Sequence, residues 1–306
     1  MSRILVIGSI NMDILAKAPR FPRIGETVVG TDWETIPGGK GANQAVAVSK
    51  SGGKASMIGK VGRDEFGDTL MRNLKTNGVD ITAIHKITST TSGVALIVVD
   101  DKGNNTIVSI PGANSQLTIN DLRENEELFE SASILLIQLE IPWDTVAFAI
   151  NHAQLNQVKI ILDPAPAPLT RPAPDWLGGV DILTPNQVEA EIITGVKVID
   201  IASAQRAAEF LLKQGVLIPI IKLGAEGVLV LYEKRFHHIP SFKVPVFDTT
   251  AAGDAFAGGL ATALAEGKPL LEAIRFANAA GALSTTKFGA QSSIPLRAEI
   301  DKLLRS

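Results

Sequence analysis

Three residues with almost no side chain, Ala251, Ala252 and Gly253, precede a lone carboxylate, Asp254, in the stretch DTTAAGDAFAGGL (248–260). A helix-like segment follows. Bare backbone running into a helix exposes amide N–H groups that can cradle an anion, and the positive end of the helix dipole faces the same place. Such amides can hold charge on a transferring phosphoryl group. An ionised carboxylate beside them can take the proton of an attacking hydroxyl. The competing explanation is packing, because small residues also let a helix sit close to a neighbour.

Four other constellations carry polar groups at the ends of apolar runs. In NMD, Asn11 and Asp13 lie two apart, so on extended chain both point the same way. An amide beside a carboxylate suits a polyol, whose hydroxyls both donate and accept; an Asx-type turn is the plainer alternative. GGKGANQA (38–45) reads either as a plain tight turn into a helix or as a backbone that comes very close to a small ligand, with Asn43 on the helix's first turn pointing at it. It fails the Walker A pattern, since position 34 is Glu and position 41 is Gly, and GSINMD after the first strand fails the dinucleotide fingerprint. QLE (138–140) ends a buried run with Glu140, either solvated at a sheet edge or aimed at a ligand. In TPNQVEAE (184–191), Asn186 and Glu189 have capping-box spacing, and on one helical face they could also hold a hydrated divalent ion. The four histidines, 85, 152, 237 and 238, lack metal-ligand spacing and read as structural or surface residues.

These groups need a scaffold. The chain has 306 residues and 45% hydrophobic content, enough for a sizeable core in one large α/β unit. Its 29 basic and 32 acidic residues give a net charge of −3, which argues against nucleic acid or a membrane surface as partner. Without cysteine, disulfides, thiol catalysis and zinc–thiolate sites are excluded, and a cytoplasmic setting is expected. The apolar run from Ile4 to Ile7 is too short for a signal-peptide core. RILVIGS, ASMIGKVG, ASILLIQLE, VKIILDP, VDILTPN and LIPIIKLG read as strands, alternating with helices such as 143–155 and 202–214. That alternation predicts an α/β fold, a mostly parallel central sheet with helices on both faces. Segments 14–36 and about 81–110 look like antiparallel hairpins forming a small separate β-layer, the second with the turn DDKGNN. The proline-rich 163–174 reads as a stiff loop.

Taken together, these residues resemble the ribokinase family of carbohydrate kinases, from GSINMD to GAQSSIP. DTTAAGDAFAGGL matches the family's C-terminal signature in full, and GGKGANQA its N-terminal one. The resemblance implies a single catalytic domain over 1–306, with a β-lid built from insertions near 14–36 and 87–110 that also makes a homodimer interface. It implies ATP-dependent phosphorylation of D-ribose at the 5-hydroxyl, with Mg²⁺ and a monovalent cation such as K⁺. Asp254 would be the base, and the backbone of Ala251, Ala252 and Gly253 the anion hole. Asn11, Asp13, Gly38, Gly39, Lys40, Asn43 and Glu140 would bind the sugar. Asn186, the segment Lys222, Leu223, Gly224, Ala225, Glu226 and Gly227, and Asn278 would line the ATP site. Glu189 would position Mg²⁺ through water. Asp248, Thr250, Ser284, Lys287, Gly289 and Ser293 would surround the monovalent cation. The chain departs from the family at Lys222, where many members have Thr, at Ala225, where Ser is common, and at Asp163, where Asn is usual. Alternatives are deoxyribose, fructose, a phosphorylated ketose or a nucleoside as acceptor, and a catalytically inactive sugar-binding regulator. A dinucleotide oxidoreductase is disfavoured by the failed glycine fingerprint.

Overall fold

The computed structural model describes residues 2–170 and 175–306; the last four residues of the expected proline-rich loop, 171–174, lie outside the described residues. In chain order the first half contains β1 (Arg3–Ile7), β2 (Asn11–Lys17), β3 (Asp32–Gly38), α1 (Lys40–Lys50), β4 (Lys54–Gly62), α2 (Glu65–Thr76), β5 (Ile84–Ile87), β6 (Gly93–Val99), β7 (Asn105–Ile110), α3 (Ile119–Arg123), α4 (Glu126–Ser131), β8 (Ala132–Ile137) and α5 (Trp143–Leu155). The second half contains β9 (Lys159–Leu162), β10 (Ile182–Leu183), α6 (Gln187–Thr194), α7 (Ile201–Lys213), β11 (Ile218–Lys222), β12 (Val228–Tyr232), β13 (Arg235–Ile239), α8 (Ala252–Ala265), α9 (Leu270–Ser284) and α10 (Arg297–Arg305).

Nine strands form the large sheet in the order β13-β12-β11-β10-β9-β8-β1-β4-β5. It is parallel from β11 to β5, and β12 and β13 run antiparallel at one edge. Side-chain alternation along β1 shows why both faces must be covered. Ile4 and Val6 enter a core with Ala45 of α1, Leu260 of α8 and Phe276 of α9. Leu5 and Ile7 enter a second core with Leu122 of α3, Phe129 of α4, Val146 of α5 and Leu211 of α7. All four of these β1 residues are fully buried. Because β1, β8, β9, β10 and β11 are parallel, their carboxyl ends share one edge, the place where open α/β sheets bind ligands.

The second sheet has the order β3-β2-β6-β7. Its two hairpins are antiparallel, but β2 pairs with β6 in parallel, joining them into one mixed sheet. At the turn between β6 and β7, Asp100 accepts hydrogen bonds from the backbone of Lys102 and Asn104 at 2.9 Å each. Residues 84–87, within the segment expected to form a hairpin, instead extend the large sheet as β5 beside β4. Burial of Ala83 and Ile84 explains this, since the core side of that edge is apolar. β10 is shorter than VDILTPN suggested, because Pro185 offers no N–H and Asn186 already caps α6.

Candidate active site

The head of α8 has the geometry that the bare stretch suggested. Ala251 sits at φ 59°, ψ 10°, in the left-handed region, and Ala252 begins the helix. A left-handed residue followed by a right-handed one turns successive amides into a concave nest. The Ala252 amide donates to Thr249 O at 3.2 Å, whereas the amides of Gly253 and Asp254 meet no acceptor among the described residues. Packing explains a different part of the same motif: a Cβ on Gly258 would lie 2.8 Å from the Val48 backbone nitrogen of α1. Close helix packing thus falls at Gly258, and the amides without an acceptor among the described residues fall at Gly253 and Asp254.

That close packing brings α1 to Asp254. Asn43 Nδ2 donates to Asp254 Oδ2 at 2.9 Å and Gln44 Nε2 donates to Oδ1 at 3.0 Å. The carboxylate is buried, which pushes its pKa up to about 6; Lys40 opposes the rise and Asp163 adds to it. It is thus ionised above neutrality but much more basic than a surface aspartate, as suits a proton acceptor. Asn43 Oδ1 is buried with no hydrogen-bond partner among the described residues.

The start of α1 is itself pinned to the end of β1. Gly39 has φ 86°, and a Cβ there would lie 2.7 Å from the Asn11 amide nitrogen and 2.9 Å from Ser9 O. Only glycine permits this approach. It sets the Lys40 amide 3.2 Å from Glu140 Oε2, the oxygen that also accepts from the Ser9 hydroxyl. In β2, Asn11 pairs with Gly38 of β3, and Asn11 Oδ1 accepts from Asn114 Nδ2 at 2.7 Å. Asp13 follows on the same face. Burial and then the charge of Glu140 raise its pKa to about 7, against Lys40. Burial opposes the charge of Lys40, yet Asp254 and Glu140 outweigh it and hold the ammonium above its usual range. The expected sugar residues therefore converge, and Ser9, Gln44, Asn114 and Gln138 join them without having been singled out as ligands. Gln138, fully buried, donates through Nε2 to Gln44 Oε1. A lone Gln or Ser on a helix or loop carries no sequence signal; only its distance to Asp254 or Glu140 does.

Beside this cluster lies a second. Asp163, at the end of β9, accepts from Lys222 Nζ at 2.8 Å, Gln44 Nε2 at 2.9 Å and Thr184 Oγ1 at 3.2 Å. Two of the three positions where the chain departs from its resembled family thus contact each other. The Lys222 amide donates to Pro185 O, and the chain then turns through Gly224–Glu226, so Asn186 and 222–227 are adjacent. His238 Nε2 contacts Glu226 O at 2.7 Å and braces that turn, while His152 stacks on Phe148. His85 is brought near Asp121 and Glu124, but Lys60 already neutralises Asp121 at 2.7 Å. Asn278 Nδ2 donates to the carbonyls of Ile239 and Pro240 at the end of β13.

Asn186 and Glu189 do form the capping box: Asn186 Oδ1 accepts from the Glu189 amide at 2.8 Å and Glu189 Oε2 from the Asn186 amide at 2.7 Å. Glu189 is also pushed up by burial, against Lys222. The capping box uses Oε2 alone, and Glu189 Oε1 has no hydrogen-bond partner among the described residues. Around α8, Asp248 Oδ1 accepts from the Thr250 amide and hydroxyl, and Oδ2 from the Gly289 amide at 2.9 Å. Thr285 O accepts from the amides of Phe247 and Asp248. The two loops are thereby knitted together. Ser284 and Ser293 are buried, donating to Gly281 O and Ala290 O. Lys287 instead turns its side chain to Glu299 at 2.8 Å.

The pfkB family carbohydrate kinase model matches residues 1–297. The chain belongs to this family. A ribokinase of Haemophilus influenzae is 44% identical over 294 residues, covering 96% of this chain and 95% of that protein. A ribokinase of Bacillus subtilis is 42% identical over 305 residues, covering 99% of this chain and all of its own. The structure of Arabidopsis thaliana ribokinase complexed with ribose and ATP superimposes with a TM-score of 0.92 at 30% identity, over 100% of this chain and 99% of that one. Family membership agrees with the α/β architecture and with a phosphotransferase that uses an alcohol acceptor.

Proposed function

We infer that the protein transfers the γ-phosphoryl group of ATP to the 5-hydroxyl of D-ribose. The observation that carries this reading is Asp254: a buried, basic carboxylate at the head of α8, next to two amides without a partner among the described residues, in a chain similar over its length to ribokinases. Asp254 takes the hydroxyl proton as the sugar oxygen bonds to phosphorus, and the bond to the ADP oxygen breaks. The amides of Gly253 and Asp254, with the turn through Ala251 and Ala252, hold the phosphoryl charge.

Asn11, Asp13, Glu140 and the turn Gly38–Lys40 supply the sugar pocket, and Asn43 Oδ1 is an acceptor waiting for a hydroxyl. Asp13 and Glu140 repel an already phosphorylated sugar. Asn186, the segment 222–227 and Asn278 line the nucleotide site. The free oxygen of Glu189 fits a hydrated Mg²⁺, which keeps most of its water and neutralises phosphate charge. Asp248 with the carbonyls of the two knitted loops fits a monovalent cation that steadies the nest; Lys287 contributes backbone only.

The second sheet would act as the lid. Asn11 and Asp13 lie on one of its faces. Trp33, Leu96, Val108 and Ile110, which share the other face by register, are 68%, 41%, 60% and 44% exposed. An apolar sheet face of this kind is suited to a second copy, giving a homodimer. Among the described residues no helix is long and apolar enough to cross a membrane, and the absence of cysteine suits the cytoplasm. The test is ADP release over a panel of sugars and nucleosides. Turnover fastest with ribose is expected, and no turnover with any sugar overturns the reading.

A further inference from the structure

We propose that Lys222 is a catalytic residue of the transfer step, donating from its ammonium to the transferring phosphoryl group while Asp163 holds it in place. This rests on the kinase reading above and adds a charged group to the anion hole. A Cβ on Gly253 would lie 3.3 Å from Lys222 Nζ, and among the described residues this nitrogen is the one atom within 4 Å of that position outside the helix's own backbone and the chain neighbours. The ammonium therefore borders the residue whose free amide faces the anion. Its side chain is only 13% exposed, and its charge is kept on against burial by Asp163 and Glu189.

An ammonium has three donors. Among the described residues Lys222 Nζ has one hydrogen-bond partner, Asp163 Oδ1 at 2.8 Å. Two donors remain, enough to reach phosphate oxygens without releasing the aspartate. Asp163 is itself fixed by Thr184 and Gln44, and the second hydrogen of Gln44 Nε2 goes to Asp254. Lys222, Asp163, Gln44 and Asp254 thus form one continuous chain, with the ammonium at one end and the base at the other. Without the lysine, a phosphoryl group would approach Asp254 and Asp163 with Lys40 as the cation left to offset both, and Asp163 would lose its direct ion-pair partner; like charges in a buried site repel strongly. Asp163 acts as a positioning residue: it touches Lys222, not the phosphate.

The rival explanation is that Lys222 merely neutralises Asp163. Three variants separate the two: Lys222→Met, Asp163→Asn, and the double variant Lys222→Met/Asp163→Asn, which removes both charges of the pair together and so also serves if Lys222→Met does not fold. With wild-type turnover on ribose established first, Lys222→Met is expected to lower kcat by about 100-fold, the scale of losing one charge-stabilising donor. Ribose affinity by calorimetry should stay within about threefold. The double variant should remain as slow as Lys222→Met, and its affinity should fall more for a non-hydrolysable ATP analogue than for ADP. Recovery of kcat in the double variant to near wild type would show that neutralisation was the whole role and overturn the proposal, as would a folded Lys222→Met with undiminished kcat. A wild type inactive on every sugar would instead overturn the kinase reading.

Discussion

Replacing Asp254 by Asn should make the protein more stable and far less active, and the two effects should part company with pH. The carboxyl is raised from its ordinary 3.8 to about 6, chiefly by burial. A folded state that binds the proton more tightly than the unfolded chain is favoured at low pH. This group's contribution to stability is therefore lost as pH rises from about 4 to 6, and it stays lost above that. Each pH unit between the two values is worth about 1.4 kcal/mol, so the charged form costs on the order of 3 kcal/mol at pH 8. Asparagine removes the cost while keeping the shape. Its Oδ1 can accept from Gln44 Nε2, which is held as a donor by Asp163 and Gln138. Its Nδ2 can donate to Asn43 Oδ1, which has no partner among the described residues, after that amide flips. With some loss to imperfect geometry, the gain should be about 1–3 kcal/mol at pH 8 and near zero at pH 4.5. Urea unfolding of the ligand-free protein at both pH values measures it. ADP release with saturating ribose should fall about 10²–10⁴-fold, the usual share of a general base. Equal stability gaps at the two pH values, or a variant with near wild-type kcat, would refute the account of Asp254 as a buried base.

Asp13, raised to about 7 by burial and Glu140, should make ribose binding pH-dependent. Affinity should rise as pH climbs from about 6 to 8 and the carboxylate becomes an acceptor, and Asp13→Asn should flatten that profile in calorimetry; a flat wild-type profile contradicts it. Glu140→Gln should weaken ribose by about tenfold while leaving ATP affinity within twofold, because charge-assisted bonds to hydroxyls are lost only on the sugar side; unchanged ribose affinity would remove Glu140 from the pocket. Activity should be several-fold higher in K⁺ than in a bulky organic cation at equal ionic strength, chiefly through kcat or nucleotide affinity, as a cation between the 247–250 and 285–293 loops steadies the nest; equal rates would end that idea.

The strands and helices, their approximate ends and the covered central sheet are written in local patterns: the alternation along RILVI, the one-turn spacing of Phe66, Leu70 and Leu74, and the glycines that close helices. Such patterns survive because backbone hydrogen bonding and burial act over a few residues. The nest at Ala251–Gly253 was legible for the same reason, being a turn and a helix start in one stretch. The partners of each polar group were not. Gln44 meets Asp254 across 210 residues, Asn114 meets Asn11 across 103, and Lys222 meets Asp163 across 59. No periodicity relates such positions; they become neighbours only when parallel strands align their carboxyl ends and α1 packs on α8. The parallel joining of β2 to β6, and the passage of Ile84–Ile87 into the large sheet, were likewise decided by which apolar edges could be buried together. Lys222 and Asp163, two unrelated departures along the chain, become one ion pair beside the head of α8 because tertiary packing brings the ends of β9 and β11 to one edge of the sheet, with β10 between them.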